Sequence, residues 1–346
     1  MAVFPARSNN SNTFFDIKRS EGGNRQTLAR AKNLAANASL AQTHAKIVPK
    51  AWEGSHGTGH CDETIRPQLL DAAASFAVKW IYMAKSVREL AFLREHFIAA
   101  DWTRRFTELF DKHIDFDAGE NLLYINAGCG DHCFALSDKF GEKTSIFATC
   151  EDDELLKIAQ EKAAAIKSDV DFSRQNFEAE SFDSVVADAS FVRPSEFEEF
   201  AADAARAARS GAEVAFVLPS AGSFGEIFSL LWEVLFNEDL GEHGAAAEAM
   251  ISELPTVSHI EEMAERIGLM NIRTQTSKEV FEYENGADFV SSPLASEFLL
   301  PAWLSGLDEE QSERVTNALA NLIDEEDGTL SFRFSVKATI LMGQKF

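Results

Sequence analysis

Leu122-Leu123-Tyr124-Ile125-Asn126-Ala127-Gly128-Cys129-Gly130 (LLYINAGCG) is the stretch that decides the fold. Its four leading apolar residues are too few for a helix and read as a strand buried on both faces. The run ends in Gly128 and Gly130, and glycine allows the left-handed backbone that a tight turn requires. A strand, a glycine turn and a following helix bring backbone N–H groups and the positive end of a helix dipole to one point, a seat for an oxygen-rich ligand. An acid about twenty positions further on, at the end of the next strand, would sit beside that seat and accept hydrogen bonds from ribose hydroxyls. Glu151 follows Gly130 by 21 positions, after the strand-like tract Ser145 to Cys150.

Outward from this turn the chain alternates. Asp152 to Ala165 places Leu155, Leu156, Ile158 and Ala159 on one helical face, and Val170 to Phe172 is a short third strand. Phe182 to Ala187 is a fourth strand, Phe197 to Ala208 a helix and Glu213 to Leu218 a fifth strand. Strand and helix in regular succession predict an α/β fold with a parallel sheet covered on both faces. After Pro219 come an apolar helix (Phe224 to Phe236), an acidic connection to about Met250, a helix (Ser258 to Ile267) and a strand (Asn271 to Thr276). Two strand-like tracts, Lys278 to Tyr283 and Ser331 to Met342, flank a helical insert from Gln311 to Ile323. Before the first strand, apolar residues recur at helical spacing from Arg66 to His113. The reading divides the chain into a basic, partly disordered arm (1–50), a helical cap region (51–116) and a main domain (117–346) with a helical insertion at about 224–256.

These stretches, in this order, resemble the class I S-adenosylmethionine-dependent methyltransferases over roughly residues 100–346. LLYINAGCG resembles the family's first motif, and Ile146 to Ala159 (IFATCEDDELLKIA) its second strand and following helix, with the ribose-binding acid at the strand end. Phe182 to Phe191 is similar to its fourth strand and the residues beside the methyl donor, and Arg206 to Pro219 (RAARSGAEVAFVLP) to its next helix and fifth strand. Glu261 to Ile272 with Phe332 to Gly343 (FRFSVKATILMG) is similar to its last helix and closing β-hairpin. The resemblance implies a Rossmann-like, mainly parallel seven-stranded sheet and methyl transfer from S-adenosyl-L-methionine to a small-molecule acceptor. It also implies a cofactor seat made by Asn126, Ala127, Gly128, Cys129, Gly130, Glu151, Gln175 and Asp188. Asn126 stands where the family usually has an acid, and His132 where it often has a third glycine. The ribose acid aligns with Cys150 unless the turn is one residue short, which makes it Glu151, and no aspartate lies at the adenine-contact position, where Gln175 or Asn176 would substitute. Two rival readings stay open. One is a non-catalytic methyltransferase-like protein that binds a ligand or partner; the other is a nucleotide-cofactor oxidoreductase, whose dinucleotide turn needs a glycine where this chain has Cys133.

A hydroxyl or amine acceptor needs a base for its proton, and Asp188 and His132 are the candidates that the matched motifs bring near the donor. The helix from Phe224 to Phe236 is apolar on nearly all sides, so it either walls an acceptor pocket or fills core, and Arg104 and Arg105 could pair with an acceptor carboxylate. Two groupings look like metal ligands. His56, His60, Cys61 and Asp62 share a glycine-flanked loop, but their spacing matches no zinc pattern; Cys129, His132 and Cys133 lie in and after the glycine turn, where cysteine is a small filler. Neither is read as a metal site.

At 346 residues the chain has room for one elaborated domain or two smaller ones, and 45% hydrophobic with 25% charged residues is a globular composition. The net charge of −24 would repel a phosphate backbone or an anionic membrane, which argues against nucleic acid and membrane as partners. The arm is the exception, because residues 1–50 carry eight Lys or Arg against Asp16 and Glu21. Pro5 and those two acids weaken its likeness to a transit peptide. Four cysteines are too few for a disulfide framework in a chain of this length, and the apolar tract from Ile227 to Phe236 is far short of the roughly 20 residues that span a bilayer. These features predict a cytoplasmic protein.

Overall fold

Seven strands, β1 (Asn121–Ile125), β2 (Ser145–Ala148), β3 (Asp171–Phe172), β4 (Phe182–Asp188), β5 (Ala208–Pro219), β6 (Leu269–Tyr283) and β7 (Phe332–Lys345), form one sheet in the order β3-β2-β1-β4-β5-β7-β6. The computed structural model describes residues 85–114, 121–172, 177–327 and 331–346. The basic arm, the helical reading of 66–84, the His56–Cys61 loop, Gln175 and Asn176 lie outside the described residues.

The strands from β3 to β5 pair in parallel, with Leu122, Leu123 and Tyr124 opposite Ile146, Phe147 and Ala148 on one side and Ser184, Val185 and Val186 on the other. Every residue of β4 is buried, as expected of a parallel strand covered on both faces. β7 enters antiparallel between β5 and β6, so β6 and β7 close the sheet as a long antiparallel pair. The tracts Asn271 to Thr276 and Lys278 to Tyr283, read from sequence as separate, are one strand. β6 is the sheet edge and alternates between exposed and partly buried residues for most of its length, so its polar residues interrupt an apolar pattern without interrupting the ladder. β5 starts at Ala208, five residues before the predicted Glu213. The extra residues are taken up at an irregularity in its pairing with β4, where Gly211 has φ +80°.

Helices cover both faces: α1 (Val87–Leu93), α2 (Arg104–His113), α3 (Asp131–Phe140), α4 (Asp153–Ile166), α5 (Phe197–Ala207), α6 (Gly225–Asn237), α7 (Ala245–Ser252) and α8 (Val257–Arg266). Asp152 caps α4 by accepting from the N–H groups of Glu154 and Leu155, both at 2.9 Å. α1 and α2 are continuous through Arg94–Thr103, which is wound as a π-helix, and Ala91, Arg94, Ile98 and Trp102 of this stretch are buried. A second helical insertion separates β6 from β7: α9 (Gly286–Ser291), a π-turn (Leu294–Leu299), α10 (Leu300–Trp303) and α11 (Glu309–Asp327). Only its last helix was legible in the sequence. Aromatic rings concentrate between this insertion and the sheet, where Phe224, Phe281, Phe289, Phe332 and Phe334 are all buried.

Candidate functional site

Three chain segments end at the same place. Asn126, just past β1, has φ +59°, and its side-chain amide donates to the Asp188 carbonyl at 3.1 Å, tying the ends of β1 and β4. The Ala127 N–H donates to Thr149 O at 2.8 Å, which ties the same turn to the end of β2. Gly128 and Gly130 follow with φ +56° and +85°. A Cβ on Gly130 would stand 2.7 Å from the ring of Phe172, so glycine is required there both by the backbone and by the packing beneath it. The Gly128 N–H donates to Glu151 Oε2 at 3.1 Å. Cys150 is buried instead, and it is the later residue, Glu151, that reaches the turn. The glycine turn and the acid after β2 are thus in direct contact.

A cation completes the cluster. Arg94, on the π-wound segment, donates from Nη2 to Glu151 Oε1 at 2.7 Å, and its guanidinium carbon lies 4.3 Å from the centroid of the Phe191 ring. It is only 9% exposed, and its Nη2 is the nearest heavy atom to a Cβ built on Gly128, at 3.7 Å. Nothing in the sequence reading singled it out. The available signal was its position on the stripe Ala91–Arg94–Ile98–Trp102, where a cation shares helical spacing with buried apolar residues. Next to it, Lys162 bridges Glu95 at 3.0 Å and Asp131 at 2.5 Å, holding the start of α3 against the π-helix. Burial, with Glu95 beside it, pushes the Cys129 thiol far above its ordinary range, so this cysteine is a protonated filler of the turn.

Beside this cluster lies a cavity of about 270 Å³ at the carboxyl ends of β4 and β5, the end of an α/β sheet at which ligands bind. Trp102, Phe191, Phe224, Phe298 and Trp303 give it aromatic walls, and Arg94 and Ser190 are polar groups in its lining. Trp102 Nε1 donates to Ser190 Oγ at 3.1 Å, and the Ser190 N–H donates to Asp188 Oδ1 at 2.8 Å. Asp188 is 5% exposed. Burial raises its carboxyl pKa to about 6, against the pull of the Ser190 hydroxyl and amide, with Glu151 adding to the rise and Arg94 opposing it.

Of the residues read as a site, Asn126, Ala127, Gly128, Cys129, Gly130, Glu151 and Asp188 come together. His132 does not join them on the cavity side. Its Nδ1 is 3.0 Å from the Tyr124 hydroxyl, its ring stacks on Phe110 at 5.9 Å, and Nε2 faces Asp111 at 3.6 Å. The body of α6 is core, through Ile227, Leu230, Leu231, Val234 and Leu235, and Phe224 just ahead of it reaches the cavity. Arg104 pairs with Glu108, and Arg105 with Asp101 and Glu279; neither lines the cavity. Phe298 and Trp303, from the second insertion, had no signal in the sequence, because only folding brings residues so distant onto this wall.

Five parallel strands with the order reversing at β1, then an antiparallel β7 set between β5 and β6, differ from the dinucleotide-binding order 3-2-1-4-5-6 and match what the family resemblance implies. This is a Rossmann-like α/β fold. Among solved structures, the YcgJ protein of Bacillus subtilis is similar at 14% identity, over 70% of this chain and 98% of that one, with a TM-score of 0.45. Phosphoethanolamine N-methyltransferase 2 of Haemonchus contortus, in complex with phosphomonomethylethanolamine and S-adenosylhomocysteine, is similar at 15% identity over 77% and 60% of the two chains, with a TM-score of 0.44. Geranyl diphosphate methyltransferase, in complex with GPP and sinefungin, is similar at 12% identity over 70% and 78%, with a TM-score of 0.39. No family model and no curated protein matches the chain. No described helix is long and apolar enough to cross a membrane.

Proposed function

We propose that this protein transfers a methyl group from S-adenosyl-L-methionine to a small molecule held in the aromatic cavity. The observation that carries the reading is the Glu151 carboxylate, which accepts the Gly128 N–H on one oxygen and a planar, multi-donor guanidinium on the other. A carboxylate so placed can accept from ribose hydroxyls, and Arg94, which gives it one N–H, occupies the oxygen that such a hydroxyl would use, so the residues present fit the cofactor. Glu151 and the Gly128 turn would hold its ribose and methionine ends, and Gln175 is the proposed adenine contact. When bound, the cofactor supplies an electrophilic methyl group on a sulfonium. The chain's own part is to hold the acceptor in line, exclude water with Trp102, Phe191, Phe298 and Trp303, and receive a proton at Asp188.

Calorimetric titration with S-adenosylmethionine and S-adenosylhomocysteine, with NAD(P)H as control, tests this on the wild type and Glu151→Ala. Micromolar binding of the methionine cofactors that weakens at least about tenfold in the variant is expected, since two hydrogen bonds to a charged group are lost. Absence of both heat and thermal shift would overturn it. The Arg94–Glu151 ion pair favours a second reading, a methyltransferase fold whose seat is permanently closed and whose aromatic cavity binds a ligand without chemistry. Under that reading Arg94→Ala acquires no affinity for either methionine cofactor.

A further inference from the structure

We propose that Ser190 and Asp188 form a proton relay facing the aromatic cavity, and that the cavity takes a flat apolar molecule bearing one neutral O–H or N–H group. This rests on the methyl-transfer reading and names the acceptor class that it leaves open.

A serine hydroxyl gives one proton and receives on two lone pairs. Indole nitrogen only donates, so Trp102 Nε1, at 3.1 Å, occupies one Ser190 lone pair. The Ser190 backbone N–H holds Asp188 Oδ1 at 2.8 Å, and the hydroxyl, which draws the Asp188 pKa down, is assigned its proton bond to the same carboxylate. One lone pair is left, and Ser190, 5% exposed, borders the cavity. A ligand there satisfies Ser190 by donating a hydrogen bond, and one that can only accept leaves that lone pair empty. The surroundings select the rest of the molecule. The walls are aromatic, and about 270 Å³ suits one or two fused rings. The two charged side chains that line the interior are already paired, Arg94 with Glu151 and Glu297 with Lys85, while Arg193 is exposed to solvent. In the cofactor-free protein, where Arg94 keeps Glu151, the ligand therefore brings no charge of its own.

In the transfer, the X–H proton of the acceptor passes to Ser190 Oγ as the Ser190 proton passes to Asp188. The X–CH3 bond forms while the carbon–sulfur bond of the sulfonium breaks, sulfur keeping the electron pair, and Asp188 ends as the carboxylic acid. The titratable and charged groups facing Asp188 are Glu151, Arg94 and Tyr124. Its raised pKa, about 6, leaves it a carboxylate in mildly alkaline buffer and a better proton acceptor than an ordinary aspartate.

The test uses the full chain without cofactor, titrated calorimetrically with 2-naphthol and with its methyl ether, which matches its shape and lacks the O–H. Near pH 8 the naphthol is expected to bind about tenfold more tightly, the value of one buried hydrogen bond. Below about pH 5 the preference should fall towards one, because protonated Asp188 then donates to Ser190 and frees the hydroxyl proton to serve an ether. Ser190→Ala should abolish the preference near pH 8, and Asp188→Asn, which keeps the shape and the acceptor for the Ser190 N–H, should make it independent of pH. Equal affinity for the two probes near pH 8, a preference that survives Ser190→Ala, a pH dependence that survives Asp188→Asn, or no binding of either would overturn the proposal. Because no methionine cofactor is present, these outcomes are separate from failure of the methyl-transfer reading, which shows only in the cofactor titration.

Discussion

Two residues carry most of the local physics. Gly130 has φ +85° and the ring of Phe172 where a side chain would begin. Gly130→Ala is expected to cost about 2–4 kcal/mol, from the left-handed backbone and the overpacked ring together, measured by urea unfolding. Asp188 carries the opposite signature, a carboxyl whose folded pKa, about 6, stands above the ordinary value of 3.8. Between those values the folded chain holds the proton and the unfolded chain has lost it. Asp188 therefore favours folding most below the lower value, and that contribution is lost as pH rises to about 6. Asp188→Asn should stabilise the protein near neutral pH by roughly 1–3 kcal/mol relative to its effect near pH 4, a difference read from unfolding curves of the two proteins at both pH values. Asp188 was visible as an acid after a strand; its burial was not, because the rings that exclude water from it come from elsewhere in the chain.

At the scale of elements, the helical stretch from α1 through the π-wound segment to α2 does the most to define the site. Its π-winding lies in the segment that carries both Arg94 and Trp102, and such winding commonly accompanies functional positions. The Arg94–Glu151 pair is mostly shielded, with side chains 10% and 23% exposed, so removing one partner strands the other. Arg94→Ala and Glu151→Ala should each cost about 1–3 kcal/mol, and the double variant much less than their sum, in a double-mutant cycle on unfolding free energies. If the cofactor seat is as proposed, Arg94→Ala also binds S-adenosylmethionine more tightly than wild type, since the occupant of Glu151 is gone; calorimetry decides this. The helical nature of the stretch is plain in its apolar spacing. That its one buried arginine reaches the acid after β2 is not, because the two residues are far apart in sequence and meet only when the helix crosses the sheet end.

For the whole molecule, the dominant long-range quantity is charge. A net −24 on 346 residues makes the folded chain repel itself. Raising NaCl from about 0.02 to about 0.5 M should therefore raise Tm by a few degrees, because screening relieves net repulsion more than it weakens the exposed ion pairs. A fall in Tm over that range, in differential scanning calorimetry, would mean that the paired charges outweigh the repulsion. The central strands should contribute little to this salt dependence, since β1 and β4 are held by backbone hydrogen bonds and buried apolar side chains.

The alternation of apolar runs with amphipathic helices, and the glycine turn after Leu122-Leu123-Tyr124-Ile125, determined the parallel sheet, its central strands and the contact between the turn and Glu151. These are local or period-governed features, and a strand between two helices has one compatible place in a right-handed α/β fold. Tertiary structure alone decided that β6 runs unbroken as an edge, that Arg94 occupies Glu151, that His132 faces Tyr124 and Asp111, and that Trp102, Ser190, Phe298 and Trp303 share one cavity. Each depends on side chains distant in sequence meeting at the carboxyl end of the sheet, and spacing along a chain does not encode which of many apolar surfaces will cover which sheet end.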